Sequence, residues 1–218
     1  MKPLAAQPSL TEQVYEQILS EIIAGRLKEN PRLIQDELAR TLGVSRQPVQ
    51  QALLLLRNQG FLRDAPGRGL LVAPIEPGFV RDLFEVRAVA EALACRLAAE
   101  RGSKAAAKLG PRFIEEGRKA ERDGNVAKLI AADMRFHEFL YEISGNGLIK
   151  ETMQPYWAHL RRLMGEVLLK DETPRQIWDE HDAILQAVSR GDADDAEELA
   201  RRHITKAADM FIARLQAA

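Results

Sequence analysis

From Leu10 the apolar positions Leu10, Val14, Ile18 and Ile22 recur every fourth residue, the spacing that lays one face of an α-helix against a core. Ser9-Leu-Thr-Glu12 is a capping-box pattern, in which hydroxyl and carboxylate each satisfy a backbone N–H that the first turn leaves without a partner. Gly25 ends the run. A short second helix is predicted over 36–42, then a turn at Gly43 and a third helix capped by Ser45, which tolerates Pro48 in its first turn. On that helix Val49, Ala52, Leu53 and Leu56 stand at i, i+3, i+4 and i+7 and must face inward. Arg46, Gln47, Gln50 and Gln51 therefore point elsewhere. Two helices joined by a glycine-containing turn form a helix-turn-helix, and short apolar runs at 61–63 and 70–73 around Pro66-Gly67-Arg68-Gly69 predict a β-hairpin placed as a wing.

Pro74 and Pro77 interrupt this pattern as a linker does, near 74–78. Beyond it nearly every segment has helical period: 79–101, 104–123 with a break at Gly110-Pro111, 126–144, 148–169, 175–190 and 193–216. The fold expected is mainly α, with a winged helix-turn-helix over 1–75 and an all-α bundle over 79–218. Leu83, Val86, Ala90, Leu93 and Leu97 form a near-heptad stripe that suits bundle core or a dimer contact.

Composition narrows the class without naming a function. The 218 residues are 46% hydrophobic and 29% charged, enough for a real core. The first residues lack the apolar run of a signal peptide, and no stretch approaches the roughly 20 apolar residues of a membrane span, so a cytoplasmic location without a membrane partner is expected. Cys95 is the single cysteine, which rules out an intrachain disulfide and a cysteine-based zinc framework and suits a buried small hydrophobe. Net charge is −1, with nine basic and seven acidic residues over 1–75, an asymmetry too weak to argue nucleic acid by itself.

The polar face of the third helix carries that argument. Arginine pairs bidentately with guanine and glutamine with adenine in the major groove, and the first turn of a recognition helix lies within reach of base edges. Arg46, Gln47 and Gln50 are the expected readers, Ser45 a hydrogen-bond donor to a phosphate, and Arg68 at the hairpin tip a minor-groove or backbone contact. Asp36-Glu-Leu-Ala-Arg-Thr-Leu-Gly-Val-Ser-Arg-Gln-Pro-Val49, followed by Leu53 and Gly60-Phe61-Leu62, resembles the GntR family of winged-helix regulators. The resemblance implies binding to double-stranded operator DNA. This chain departs from it at Gln50, where an arginine is common, and at Asp36, where some members carry another.

The second part offers a different chemistry. Asp133 and His137, four apart on a helix, share a face and can grip one ion together. His181 shares a face with Ile184, Leu185 and Val188, and His203 with Leu199, Ala207 and Met210, so both point into the bundle. Imidazole with carboxylate suits Zn²⁺, Mn²⁺, Fe²⁺ or Ni²⁺. His159 lies outside this set, on a face with Arg162 and Glu166.

Asp133, His137, His181 and His203 resemble, position for position, the Asp-x-x-x-His pair and two separated histidines of metal-binding FadR-subfamily effector domains, with Arg87 and Asn146 as supporting matches and a length like the shorter six-helix branch. The resemblance implies a small organic acid whose carboxylate fills open metal positions. Arg87, Arg161, Arg162 and Asn146 are candidate effector contacts, since guanidinium forks match carboxylates. It further implies a homodimer that reads a pseudo-palindromic operator and represses until its effector binds. A metalloenzyme with Glu138 as acid–base group and a direct sensor of the metal are the alternatives.

Overall fold

Ser9 opens the first helix as its spacing predicts: in the computed structural model, which describes residues 8–27, 32–168 and 177–217, the Ser9 N–H donates to Glu12 Oε2 at 2.6 Å and the Glu12 N–H to Ser9 Oγ at 3.2 Å. Leu169 and Arg175, expected helix ends, lie outside the described residues. The chain divides into two compact units, Met1–Pro74 and Ile75–Ala218.

In the first unit α1 (Leu10–Ile23), α2 (Gln35–Leu42) and α3 (Arg46–Asn58) surround a core of Val14, Ile18, Val49, Ala52, Leu56 and Phe61. Gly43 closes α2 at φ 65°, the left-handed conformation that a side chain resists, and so sets the turn into α3. β1 (Leu62–Asp64) and β2 (Leu70–Val72) pair antiparallel, Leu62 opposite Val72. Each strand sits within a residue of its predicted run. Leu33 adds an unanticipated bridge: its N–H donates to Leu70 O at 2.7 Å and its carbonyl accepts from Leu70 N–H at 3.2 Å, tying the chain before α2 to the wing.

The second unit contains α4 (Pro77–Leu109), α5 (Pro111–Arg122), α6 (Val126–Ile143), α7 (Gly147–Met153), α8 (Trp157–Leu168), α9 (Ile177–Arg190) and α10 (Ala193–Gln216). Two expectations change. The break expected after residue 101 is absent, and α4 runs unbroken for 33 residues, about 50 Å at the usual rise. Gly102 serves close packing there: a Cβ on it would stand 2.5 Å from the carbonyl oxygen of Ile143. The single helix expected from 148 is divided, because Pro155 supplies no N–H and a 3-10 turn (Gln154–Tyr156) separates α7 from α8. The described residues of this unit thus hold seven α-helices rather than six.

α4 packs most extensively against α10, α9 and α6, with Phe84, Phe136, Tyr141, Leu160, Trp178 and Ile204 almost wholly enclosed. Gly117 on α5 admits the Trp178 ring, which would lie 2.0 Å from any Cβ at that position. The near-heptad stripe of α4 splits: Leu83 is buried, whereas Val86 and Leu93 are 52% and 42% exposed and Val89 beside them is 60% exposed. No helix among the described residues is long and apolar enough to cross a membrane.

Candidate functional site

Asp133 and His137 project from consecutive turns of α6, His181 from the first half of α9 and His203 from the middle of α10. All four are buried, at 8%, 2%, 0% and 7% exposure. His181 Nε2 lies 3.1 Å from His203 Nε2 and 3.5 Å from Asp133 Oδ1, and His137 Nε2 lies 3.9 Å from the same oxygen. One ligand atom from each histidine falls within 4.8 Å of the others. Ligands bound about 2.1 Å from one ion stand roughly 3.0–3.4 Å apart when adjacent, so the three histidines would have to draw together to hold a divalent transition metal, and Asp133, which approaches His181 and His137, lies at the edge of that trio. His137 Nε2 is a buried nitrogen with no hydrogen-bond partner among the described residues, a costly state that an ion would relieve.

Carboxylates hold the far sides of two of these rings. Glu91, on α4 and 1% exposed, accepts from His137 Nδ1 at 3.0 Å, Tyr141 Oη at 2.6 Å and Arg87 Nε at 3.1 Å. Burial pushes its pKa up, but the adjoining His137 and Arg87 charges and these hydrogen bonds outweigh burial and hold it at about 2. Glu180 accepts from His203 Nδ1 at 2.8 Å and pairs with Lys206 Nζ; the His203 bond leads in holding its pKa at about 2. Both carboxylates are thus ionised acceptors; each favours a proton on the Nδ1 that faces it, so that in the neutral ring the Nε2 lone pair of His137 and of His203 is the one left for an ion. Burial, then the neighbouring imidazole and Arg87 charges, pulls the His181 pKa well below its ordinary value; burial also lowers that of His203, against the pull of Glu180.

Arg87 is 4% exposed, with Cζ 5.6 Å from the Phe84 ring centroid and 5.9 Å from that of Trp157. Its Nη2 and the Trp157 Nε1 are buried donors without a hydrogen-bond partner among the described residues. Arg162 is also buried, and burial lowers its pKa against the pull of Glu166. Arg161 is exposed, turned outward because consecutive helical residues diverge by about 100°. The Asn146 side-chain oxygen accepts from Leu148 N–H at 3.2 Å and caps α7. His159 rests on Phe79, ring centroids 4.9 Å apart. Sequence reasoning missed Glu91, Tyr141, Trp157 and Glu180; Glu91 stands four residues after Arg87, which by spacing alone reads as an ordinary helix-surface ion pair.

In the winged unit Ser45 occupies the N-cap of α3 with extended backbone, but its hydroxyl makes no capping bond. Arg46, Gln47 and Gln50 are exposed on α3, and Arg68 is exposed at the hairpin tip. Gln51 instead accepts from Thr11 Oγ1 of α1 at 2.8 Å. Gln50, Leu54, Arg57 and Arg68 line an open groove of about 360 Å³ between α3 and the wing.

Two family models match separate parts of the chain: residues 10–72 that of the bacterial regulatory proteins of the gntR family, and residues 82–206 that of the FCD domain. The chain is 28% identical over 192 residues to an uncharacterized HTH-type transcriptional regulator in an unstable DNA locus of Streptomyces ambofaciens, covering 88% of this chain and 80% of that protein. It is also 28% identical over 208 residues to the HTH-type transcriptional regulator LutR of Bacillus subtilis, covering 86% and 94%. The structure of E. coli McbR/YncC shares the fold at a TM-score of 0.75 and 22% identity, over 94% of this chain and 98% of that one. The chain belongs to the GntR family of bacterial transcriptional regulators, in the FadR-like branch that joins a helix-turn-helix DNA-binding domain to an FCD effector domain, and it is a regulator rather than an enzyme.

Proposed function

We propose that this regulator is a cytoplasmic homodimeric repressor whose grip on operator DNA is released by a small organic acid bound at a metal centre in the helical unit. The observation that carries this reading is the buried convergence of three imidazole nitrogens, with the Asp133 carboxylate beside two of them and two of the rings braced by ionised glutamates. Asp133, His137, His181 and His203 would hold the ion, of which Zn²⁺, Ni²⁺, Mn²⁺ and Fe²⁺ all suit the donor set. The ion would supply Lewis-acid positions for a carboxylate. Arg87 supplies the complementary cation: its free Nη2, beside the free Trp157 Nε1, is a desolvated donor that an anionic ligand satisfies. Arg162 is the second buried guanidinium; Arg161 and Asn146, one turned to solvent and the other occupied in a cap, are weaker contacts.

Elemental analysis of purified wild type and His181→Ala tests the centre. About one transition metal per chain, lost or loosened in the variant, supports it; no metal after loading overturns it. Screening carboxylic acids for release of a bound duplex then tests the effector. A reporter that loses expression when this chain is deleted would reverse the sign from repressor to activator.

The same reading assigns DNA contacts to Ser45, Arg46, Gln47, Gln50 and Arg68, and the dimer contact to the exposed Val86, Val89 and Leu93 edge of α4. Contiguous exposed apolar side chains on a charged helix mark an interaction surface. Val86→Glu combined with Leu93→Glu is expected to sediment as a monomer; an unchanged mass would remove α4 from the interface.

A further inference from the structure

Asp36 stands at the second position of α2, where its carboxylate meets both arms of the DNA-reading surface. Its Oδ1 lies 3.0 Å from Arg46 Nε on the first turn of α3, and its Oδ2 lies 3.6 Å from Arg68 Nη2 at the wing tip. The partners are unequal in freedom: the Arg46 and Arg68 side chains are 73% and 83% exposed and Asp36 33%. Neighbouring bonds fix the frame around them. Gln35 Nε2 donates to the Arg46 carbonyl at 2.9 Å, and the Arg32 guanidinium donates to the carbonyls of Pro66 and Arg68 at 2.9 and 3.4 Å, so the start of α2, the start of α3 and the wing tip form one local assembly.

We infer that Asp36 is a specificity-determining residue, which orients Arg46 for base reading and discourages both arginines from settling on phosphates of the wrong sequence. The inference rests on the reading that Arg46 faces DNA. With the carboxylate beside Nε, the two Nη groups are left to other partners, and they form the end of the guanidinium that meets guanine O6 and N7 bidentately. An unrestrained arginine binds any phosphate it can reach, and such contacts supply the sequence-independent part of affinity. Asp36 also places a negative charge where the duplex would lie, a cost repaid only where Arg46 finds its base.

The test compares wild type, Asp36→Asn and Arg46→Ala on two duplexes: one enriched by the wild type from a random-sequence pool, and a scrambled duplex of the same composition. Asp36→Asn is expected to bind the scrambled duplex several-fold more tightly, with a steeper salt dependence, and to lose at least threefold in the ratio of selected to scrambled affinity. The same substitution in an Arg46→Ala, Arg68→Ala background is expected to leave that ratio unchanged. An Asp36→Asn ratio within threefold of wild type, while Arg46→Ala weakens selected binding, overturns the inference and leaves the DNA reading intact. Arg46→Ala binding like wild type removes the underlying reading and the inference with it. A thermal melt separates the bland alternative, since an acidic residue that only favours the N-terminus of α2 would shift the melt and leave the ratio unmoved.

Discussion

The two units place the charged groups of their candidate sites under opposite physical regimes. In the winged unit the ion pairs are exposed: Arg46 and Arg68 with Asp36, Arg57 with Asp64. Water screens them and each contributes little to stability, so these side chains remain available to exchange one partner for another. In the helical unit Arg87, Glu91, Asp133, His137, His181 and His203 are withdrawn from water, where a missing partner is expensive. On the proposed function, a surface that must test many DNA sequences keeps loose partners, and a pocket that must recognise one chemical class is organised in advance by its own interior.

Removing one buried partner should give the largest separation between the units. Glu91→Ala leaves Arg87 buried without its counter-charge and His137 without its brace, and is expected to cost about 3–5 kcal/mol by urea denaturation. A cost below about 1 kcal/mol would place Glu91 in the exposed regime. Acid should act next, and on the helical unit. In metal-free protein His181 and His203 titrate below their ordinary value, so the unfolded chain takes up protons first as pH falls. Stability is complete above about pH 6.5 and declines below it toward the folded pKa values, by up to about 1.4 kcal/mol per pH unit and imidazole; melts from pH 7.5 to 5 read this, and His181→Ala should flatten the slope. Gly117→Ala drives a methyl into the Trp178 ring and is expected to cost about 1–3 kcal/mol, seen in the same denaturation. Smallest is Ser9→Ala, which removes one side of the α1 capping box for about 1 kcal/mol and should leave metal content unaltered.

Legibility followed the range of the interaction. The α1 capping box, the Gly43 turn and the hairpin are local, and Ser9, Glu12, Gly43 and Pro66 to Gly69 announce them. Asp133 and His137 lie one turn apart and could be paired by spacing, whereas joining His181 and His203 to them took their apolar faces together with a family resemblance. Glu91 was invisible because its partners His137 and Tyr141 lie 46 and 50 residues away, and only the packing of α4 on α6 reveals that it faces inward. The expected break after residue 101 is absent for a related reason: Gly102 lies inside α4, and what it answers is a distant backbone. Pro155 was the reverse, a local signal absorbed into too long a helix.

That contact at Gly102 has a mechanical side. Where α4 and α6 touch backbone to backbone, with the Ile143 carbonyl pressed on a residue that has no side chain, the two helices share a fulcrum. Glu91 lies eleven residues along one arm and His137 six along the other, about 16 Å and 9 Å at the helical rise. A small change of crossing angle at the fulcrum is therefore magnified at the tips, where glutamate meets imidazole. The spacing of Glu91 from His137 thus depends on how closely two backbones approach at a point that touches none of the site's chemistry.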